Sequence, residues 1–147
     1  MSAVPLSAPA PPPALRGVGF YGKMPSLGDF VVRGLSPELV AAWDGWLGLA
    51  LHEAQERAGP DWAEAFAEAA VWRFALGPGL LTAEGACGIL VPSVDRVGRQ
   101  FPLAVIGPAG APGRGGPDPW FDEAEALILE ALDDGADPDV LLEALAA

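Results

Sequence analysis

Lys23, Ser26 and Asp29 lie within one run, Gly19-Phe20-Tyr21-Gly22-Lys23-Met24-Pro25-Ser26-Leu27-Gly28-Asp29-Phe30. Ser93, Asp95, Arg96 and Arg99 lie within a second, Val91-Pro92-Ser93-Val94-Asp95-Arg96-Val97-Gly98-Arg99-Gln100-Phe101-Pro102-Leu103. The chain has only 8 Lys and Arg, so finding Lys23, Arg96 and Arg99 in two turn-rich loops concentrates its positive charge there. Two arginines three residues apart share a face on a helical turn, and their planar forks grip a carboxylate or a phosphate with paired hydrogen bonds. On that reading Lys23, Arg96 and Arg99 form a phospho-ligand or small-molecule binding module. The internal reading is that Ser93 and Asp95 bond the backbone of a tight turn and Asp95 pairs with an arginine to lock its loop. Gly28 would then supply an unusual backbone angle, and Asp29 would cap the next element. Residue types alone leave both readings open. The first run is not a nucleotide-binding P-loop, because it lacks the Gly-Lys-Ser/Thr order and the four-residue spacer between glycines.

Catalytic chemistry finds little to use. A Ser-His-Asp set would need His52, which the helical pattern places mid-helix beside an apolar stripe, and no Gly-x-Ser-x-Gly elbow occurs. Asp29 and Asp95 are the strongest acid/base candidates, but each has a basic neighbour that explains it as a salt-bridge partner. One His and one Cys exclude a Cys/His metal cluster. The expectation is a protein that is not an enzyme and needs no cofactor or metal.

The elements that must position these loops follow from periodicity. Residues 1–16 are rich in Pro and Ala and are expected to be a disordered arm. Val18–Gly22 and Phe30–Arg33 read as short strands either side of the first loop. Ser36, Pro37 and Glu38 start a helix, with Leu39, Trp43, Trp46, Leu47, Ala50 and Ala54 on one face, ending at Gly59-Pro60. Trp43 and Trp46 are both expected in the core. Asp61 and Glu64 have capping-box spacing for a second, shorter helix. Val71–Leu76 alternates as a strand, with Trp72, Phe74 and Leu76 on one face and Val71, Arg73 and Ala75 on the other. Residues 87–91 and 101–106 are two further strands joined by the second loop, and residues 107–117 read as a Gly/Pro linker. Two helices close the chain, one from Asp118-Pro119 to about Asp133 and one opening at Asp137-Pro138. This order predicts an α+β fold, a single domain over residues 17–147 with a largely antiparallel sheet of four to six strands and packed helices.

Charge and composition narrow the function classes. At 147 residues, 51% hydrophobic and 19% charged, the chain is long enough for a real core without disulfides or metals. Its formal net charge of −12 argues against nucleic acid as a partner. Residues 115–147 hold ten of the acids and no Lys or Arg, a region that either aids solubility or docks a basic surface. Cys87, the single cysteine, sits in an apolar run and reads as a small buried side chain. It fits a reducing compartment. No apolar stretch approaches the roughly 20 residues that span a bilayer, and no charged segment followed by an apolar core opens the chain. Membrane insertion is not expected.

The same loops resemble a known family. Gly19–Phe30 is similar to the opening signature of the TagF family, accessory proteins of bacterial type VI secretion systems. Trp43-Asp44-x-Trp46-Leu47, Val71-Trp72-Arg73-Phe74 and Val91–Leu103 resemble the blocks that follow, in the same order, over about residues 17–106. Leu27 stands where relatives often carry a base, and Gln100 where they often carry an aromatic. The resemblance implies a cytoplasmic regulator that represses the secretion machine after translation. It also implies a partner, the forkhead-associated scaffold protein Fha. The phosphatase activity of fused relatives is not carried over to this chain.

Overall fold

A computed structural model describes residues 12–109 and 119–147. The strands β1 (Gly19–Gly22), β2 (Val31–Arg33), β3 (Trp72–Leu76), β4 (Ala86–Val91) and β5 (Leu103–Pro108) form one sheet in the order β2-β1-β5-β4-β3. Every pairing is antiparallel. The helices are α1 (Pro37–Ala58), α2 (Trp62–Ala67), α3 (Pro119–Glu130) and α4 (Pro138–Ala146), with a 3-10 turn at Gly59–Asp61. The fold is α+β, as the alternation of short strand and helix patterns predicts.

The pleat sorts side chains onto two faces, and helices cover both. Cross-strand partners Phe20, Val105 and Ile89 share one face, which packs under Ala124 and Ile128 of α3 and Leu141 and Leu145 of α4. Tyr21 and Ala104 share the opposite face with Ile106, under Leu39, Trp43 and Leu47 of α1. Burial on both faces explains why β4 and β5 read as continuous apolar runs while the edge strand β3 alternates. Gly88 in β4 is required by this packing. A Cβ there would strike the Val105 carbonyl and the ring of Phe74, which lies across β4 and stacks on Trp43 at 5.3 Å.

Charge ties the helical layer to both sheet edges. Arg33 on β2 reaches Asp139 at 2.8 Å, and Arg73 on β3 reaches Asp122 at 2.7 Å and Glu125 at 3.2 Å. Three acids of the base-free C-terminal region are therefore answered from the two outermost strands. All these groups face water, so the pairs orient the layer more than they stabilise it.

Several expectations shift in detail. Ser36 caps α1 as predicted, accepting from the Leu39 amide at 3.2 Å. Trp46 is 56% exposed, however, whereas Trp43 is buried. Contact with the sheet runs along Leu39, Trp43 and Leu47, at i, i+4 and i+8. Trp46 lies on the flank, tilted against Trp43 at 5.4 Å. Ala50 and Ala54 are also exposed, because they follow Trp46 at i+4 and i+8 on the same flank, while Leu51 continues the line of Leu39, Trp43 and Leu47 against the core. Asp61 makes no side-chain cap, since the 3-10 turn runs directly into α2 and holds Asp61 at φ −88° and ψ 4°, away from the extended angles of an N-cap. The last strand begins at Leu103 rather than residue 101, and α3 ends at Glu130 in a turn. Residues 1–11 of the expected arm and 110–117 of the expected linker lie outside the described residues. At the end of the arm, Pro13 accepts a hydrogen bond from the Ala83 amide and Leu15 packs on the α1 side of the core.

The two tryptophans of α1 should separate in a denaturation experiment. Trp43→Ala is expected to cost about 3–5 kcal/mol and Trp46→Ala under about 1 kcal/mol, read as shifts of the urea midpoint at constant slope.

Candidate functional site

The antiparallel order brings the two loops together. β1 ends at Gly22 beside Leu103, the first residue of β5, so the β1–β2 and β4–β5 connections leave the same end of the sheet. Gly22 makes this approach possible. Its φ is 146°, and a Cβ would fall on the Pro102 carbonyl. Gly28, expected to supply the special angle, has no positive φ. The loop instead uses its carbonyl oxygen.

Asp95 is the centre of the arrangement, only 2% exposed. Its Oδ1 accepts from the amides of Val97 at 3.0 Å and Arg99 at 2.9 Å, closing its own turn. Its Oδ2 accepts from Arg99 Nε at 2.7 Å and lies 3.2 Å from Lys23 Nζ. Burial by itself would raise the Asp95 pKa. The bonds from the Arg99 amide, Lys23, the Arg99 guanidinium and the Val97 amide overcome that effect and lower it to about 2. Asp95 is therefore a fixed anion near neutrality, unsuited to passing a proton back and forth.

The remaining polar groups stitch one loop to the other. Ser93 Oγ donates to the Lys23 carbonyl at 2.7 Å. The Arg96 amide donates to the Leu27 carbonyl at 2.7 Å, and its Nη2 donates to the Ser26 carbonyl at 3.0 Å. Arg99 Nη2 donates to the Gly28 carbonyl at 2.8 Å. Ser26 thus takes part through its backbone; its hydroxyl has no partner among the described residues. Asp29 is exposed and accepts from the Phe30 amide at 2.7 Å, a local cap with no tie to Lys23 or the arginines among the described residues. Lys23, Ser26, Ser93, Asp95, Arg96 and Arg99 come together, and Asp29 stays apart.

An aromatic cluster, which sequence reasoning did not assemble, supports the lock. Tyr21, Phe30 and Phe101 pack ring to ring, with centroids 4.9 to 6.0 Å apart. Lys23 Nζ sits 4.9 Å above the Phe30 ring. Tyr21 also donates its hydroxyl to Asp44 on α1 at 2.9 Å. Burial first, and then Asp44, push the Tyr21 pKa above the usual phenol range. The signal was present in the sequence as aromatics at both ends of the first loop and at the end of the second, but only the strand register makes them neighbours.

The phosphate-grip reading meets its first requirement, convergence of the loops, but not its second. Lys23 and Arg99 face Asp95, and Arg96 and Arg99 face carbonyl oxygens, so an incoming anion would have to displace bonds already made. His52 lies on the exposed flank of α1, 3.2 Å from Glu56. Among the described residues no group of three or more His, Cys, Asp or Glu could hold a metal ion.

Fold and loops together define a class: a small antiparallel sheet between two helical layers, with a charge-locked pair of loops at one end. The model of the TagF N-terminal domain, type VI secretion system-associated, matches residues 19–147, and the chain belongs to that family. A crystal structure of PA0076 from Pseudomonas aeruginosa PAO1 is similar at a TM-score of 0.78 and 44% identity over 88% of this chain. This chain spans 61% of that one's length. No curated protein matches the chain.

Three variants test the lock. Asp95 has a folded pKa below its ordinary value of 3.8, so its contribution is complete above that value and lost as pH falls through about 2. Asp95→Asn should be less stable at pH 7, where it leaves Lys23 buried without a counter-charge, and should lose the part of the acid transition between about pH 4 and pH 2. Adding Lys23→Met should recover part of the loss, measured by urea unfolding across pH. Gly22→Ala should cost more than about 2 kcal/mol or prevent folding, followed by circular dichroism and thermal melting.

Proposed function

We propose that this chain is a non-enzymatic, cytoplasmic regulator that represses a type VI secretion system after translation by binding the forkhead-associated scaffold protein Fha. The observation that carries this reading is the family match, which takes in both loops, the sheet and the four helices among the described residues. The geometry of the loops supports it. The charged groups with the best claim to chemistry are spent on each other and on loop backbone, and the acid at their centre holds its charge across the physiological range. A lock of this kind suits a domain that presents a rigid surface to a partner. The single cysteine, which excludes an internal disulfide, fits a reducing compartment. No helix among the described residues is long and apolar enough to cross a membrane.

Purified full chain, immobilised, should capture the Fha protein of the same organism's type VI system. Raising its level in cells should lower effector secretion while transcripts of the system stay constant. Folded chain that neither captures Fha nor lowers secretion would overturn the proposal.

A further inference from the structure

The outer helical layer carries a second feature, which the loops do not use. Between α3 and α4 runs a groove of about 290 Å³, with Leu127, Ala131, Val140 and Ala144 on its apolar walls and Glu130 and Asp137 on its rim. Val140 is 60% exposed, although it lies one residue from the buried Leu141. The charge at one end of the groove has a sign that the fold itself does not favour. The C-terminus of a helix carries a negative partial charge and is helped by Lys or Arg. Here α3 ends in Glu130, followed by Asp133 and Asp134, with no basic residue in its last turn. None of these three acids has an ion-pair partner among the described residues. The arginines that reach this layer are spent on Asp122, Glu125 and Asp139.

We propose that this groove docks a basic amphipathic helix of a protein partner, its apolar side chains seated on Val140 and Leu127 and its Lys or Arg side chains on Glu130, Asp133 and Asp134. A crevice between two packed helices matches the ridge of a third. Apolar walls beside uncompensated acid select a segment that is apolar on one face and cationic on its flanks. A second copy of this chain is disfavoured by the same charge, because residues 115–147 contain ten acids and no base with which to answer another acidic layer. An anionic lipid surface is repelled for the same reason. The inference rests on the reading of this chain as an interaction protein, and it supplies the surface that reading lacks.

The test uses the full chain and an 18-residue synthetic peptide with Leu at helical i, i+3, i+4 spacing and Lys at the flanking positions. Amide shifts on titration should cluster between Leu127 and Ala144, with binding weakened at least tenfold by Val140→Arg and several-fold by Glu130→Gln with Asp134→Asn. A peptide with the same lysines but Ser in place of Leu should bind at least tenfold more weakly. Val140 is exposed, so Val140→Arg should fold, as circular dichroism will verify; if it does not, the acid-neutralising variant decides. Shifts scattered over acids elsewhere, equal binding by Val140→Arg, or equal binding of the Ser peptide would each overturn the groove. In the Fha capture assay, retention by Val140→Arg equal to that of the unaltered chain removes the groove and leaves the Fha reading intact. Failure of the unaltered chain to capture Fha removes that reading, and the peptide titration still decides the groove.

Discussion

A carboxylate withdrawn from water must have its charge answered by the protein, and Asp95 is answered from both sides of a gap between two loops. Two amides of its own turn hold one oxygen, and Arg99 and Lys23 hold the other. Lys23 belongs to the first loop and Arg99 to the second, so satisfying one buried charge fixes two segments about 70 residues apart in the chain. The cost of leaving either Lys23 or Asp95 unpaired in this environment makes the arrangement cooperative. The Arg96 amide and the guanidinium groups of Arg96 and Arg99, donating to carbonyls of the first loop, then extend the lock to Leu27, Ser26 and Gly28.

The sheet makes that lock possible and is strengthened by it in turn. Placing β5 between β1 and β4 sends both connections to one end, and Gly22 lets their backbones meet. Away from that end, stability rests on apolar burial: Trp43 and Phe74 over Gly88 on one face, and Ile128 and Leu145 against Phe20 and Val105 on the other. Arg33 and Arg73 act at the two edges, where they also place a charge on strands that would otherwise offer bare backbone to other chains.

The charged loop residues serve each other and the loop backbone. Lys23, Ser93 and Asp95 are buried between the loops, and Arg96 and Arg99, although exposed, bond across the surface to the first loop's carbonyls. This arrangement fits membership of a family described by its association with a secretion machine. The acidic C-terminal region has two roles. Asp122, Glu125 and Asp139 hold the layer to the sheet, and Glu130, Asp133 and Asp134 face water at the end of α3.

Much of the fold was legible because its signals are local. The Ser36 cap, the Gly59-Pro60 stop, the alternation of Val71–Leu76 and the buried run around Cys87 each depend on neighbours within a few residues. Trp46 was misplaced because a helical stripe says which face is apolar, not how narrow a line of that face meets the sheet, and Trp46 lies on the flank between the buried Trp43 and Leu47. Gly28 was misjudged because a glycine's reason lies in what approaches it, and Gly22 is the one that Pro102 approaches. By itself the sequence determined the elements, the α+β class and the family, since each is written in residue type and short-range spacing. Only the tertiary structure decided that Lys23 and Arg99 meet Asp95 and that Arg96 and Arg99 bond the carbonyls of the first loop. Which partner a charged side chain finds depends on strand order and register, and those bring together residues that no local pattern relates.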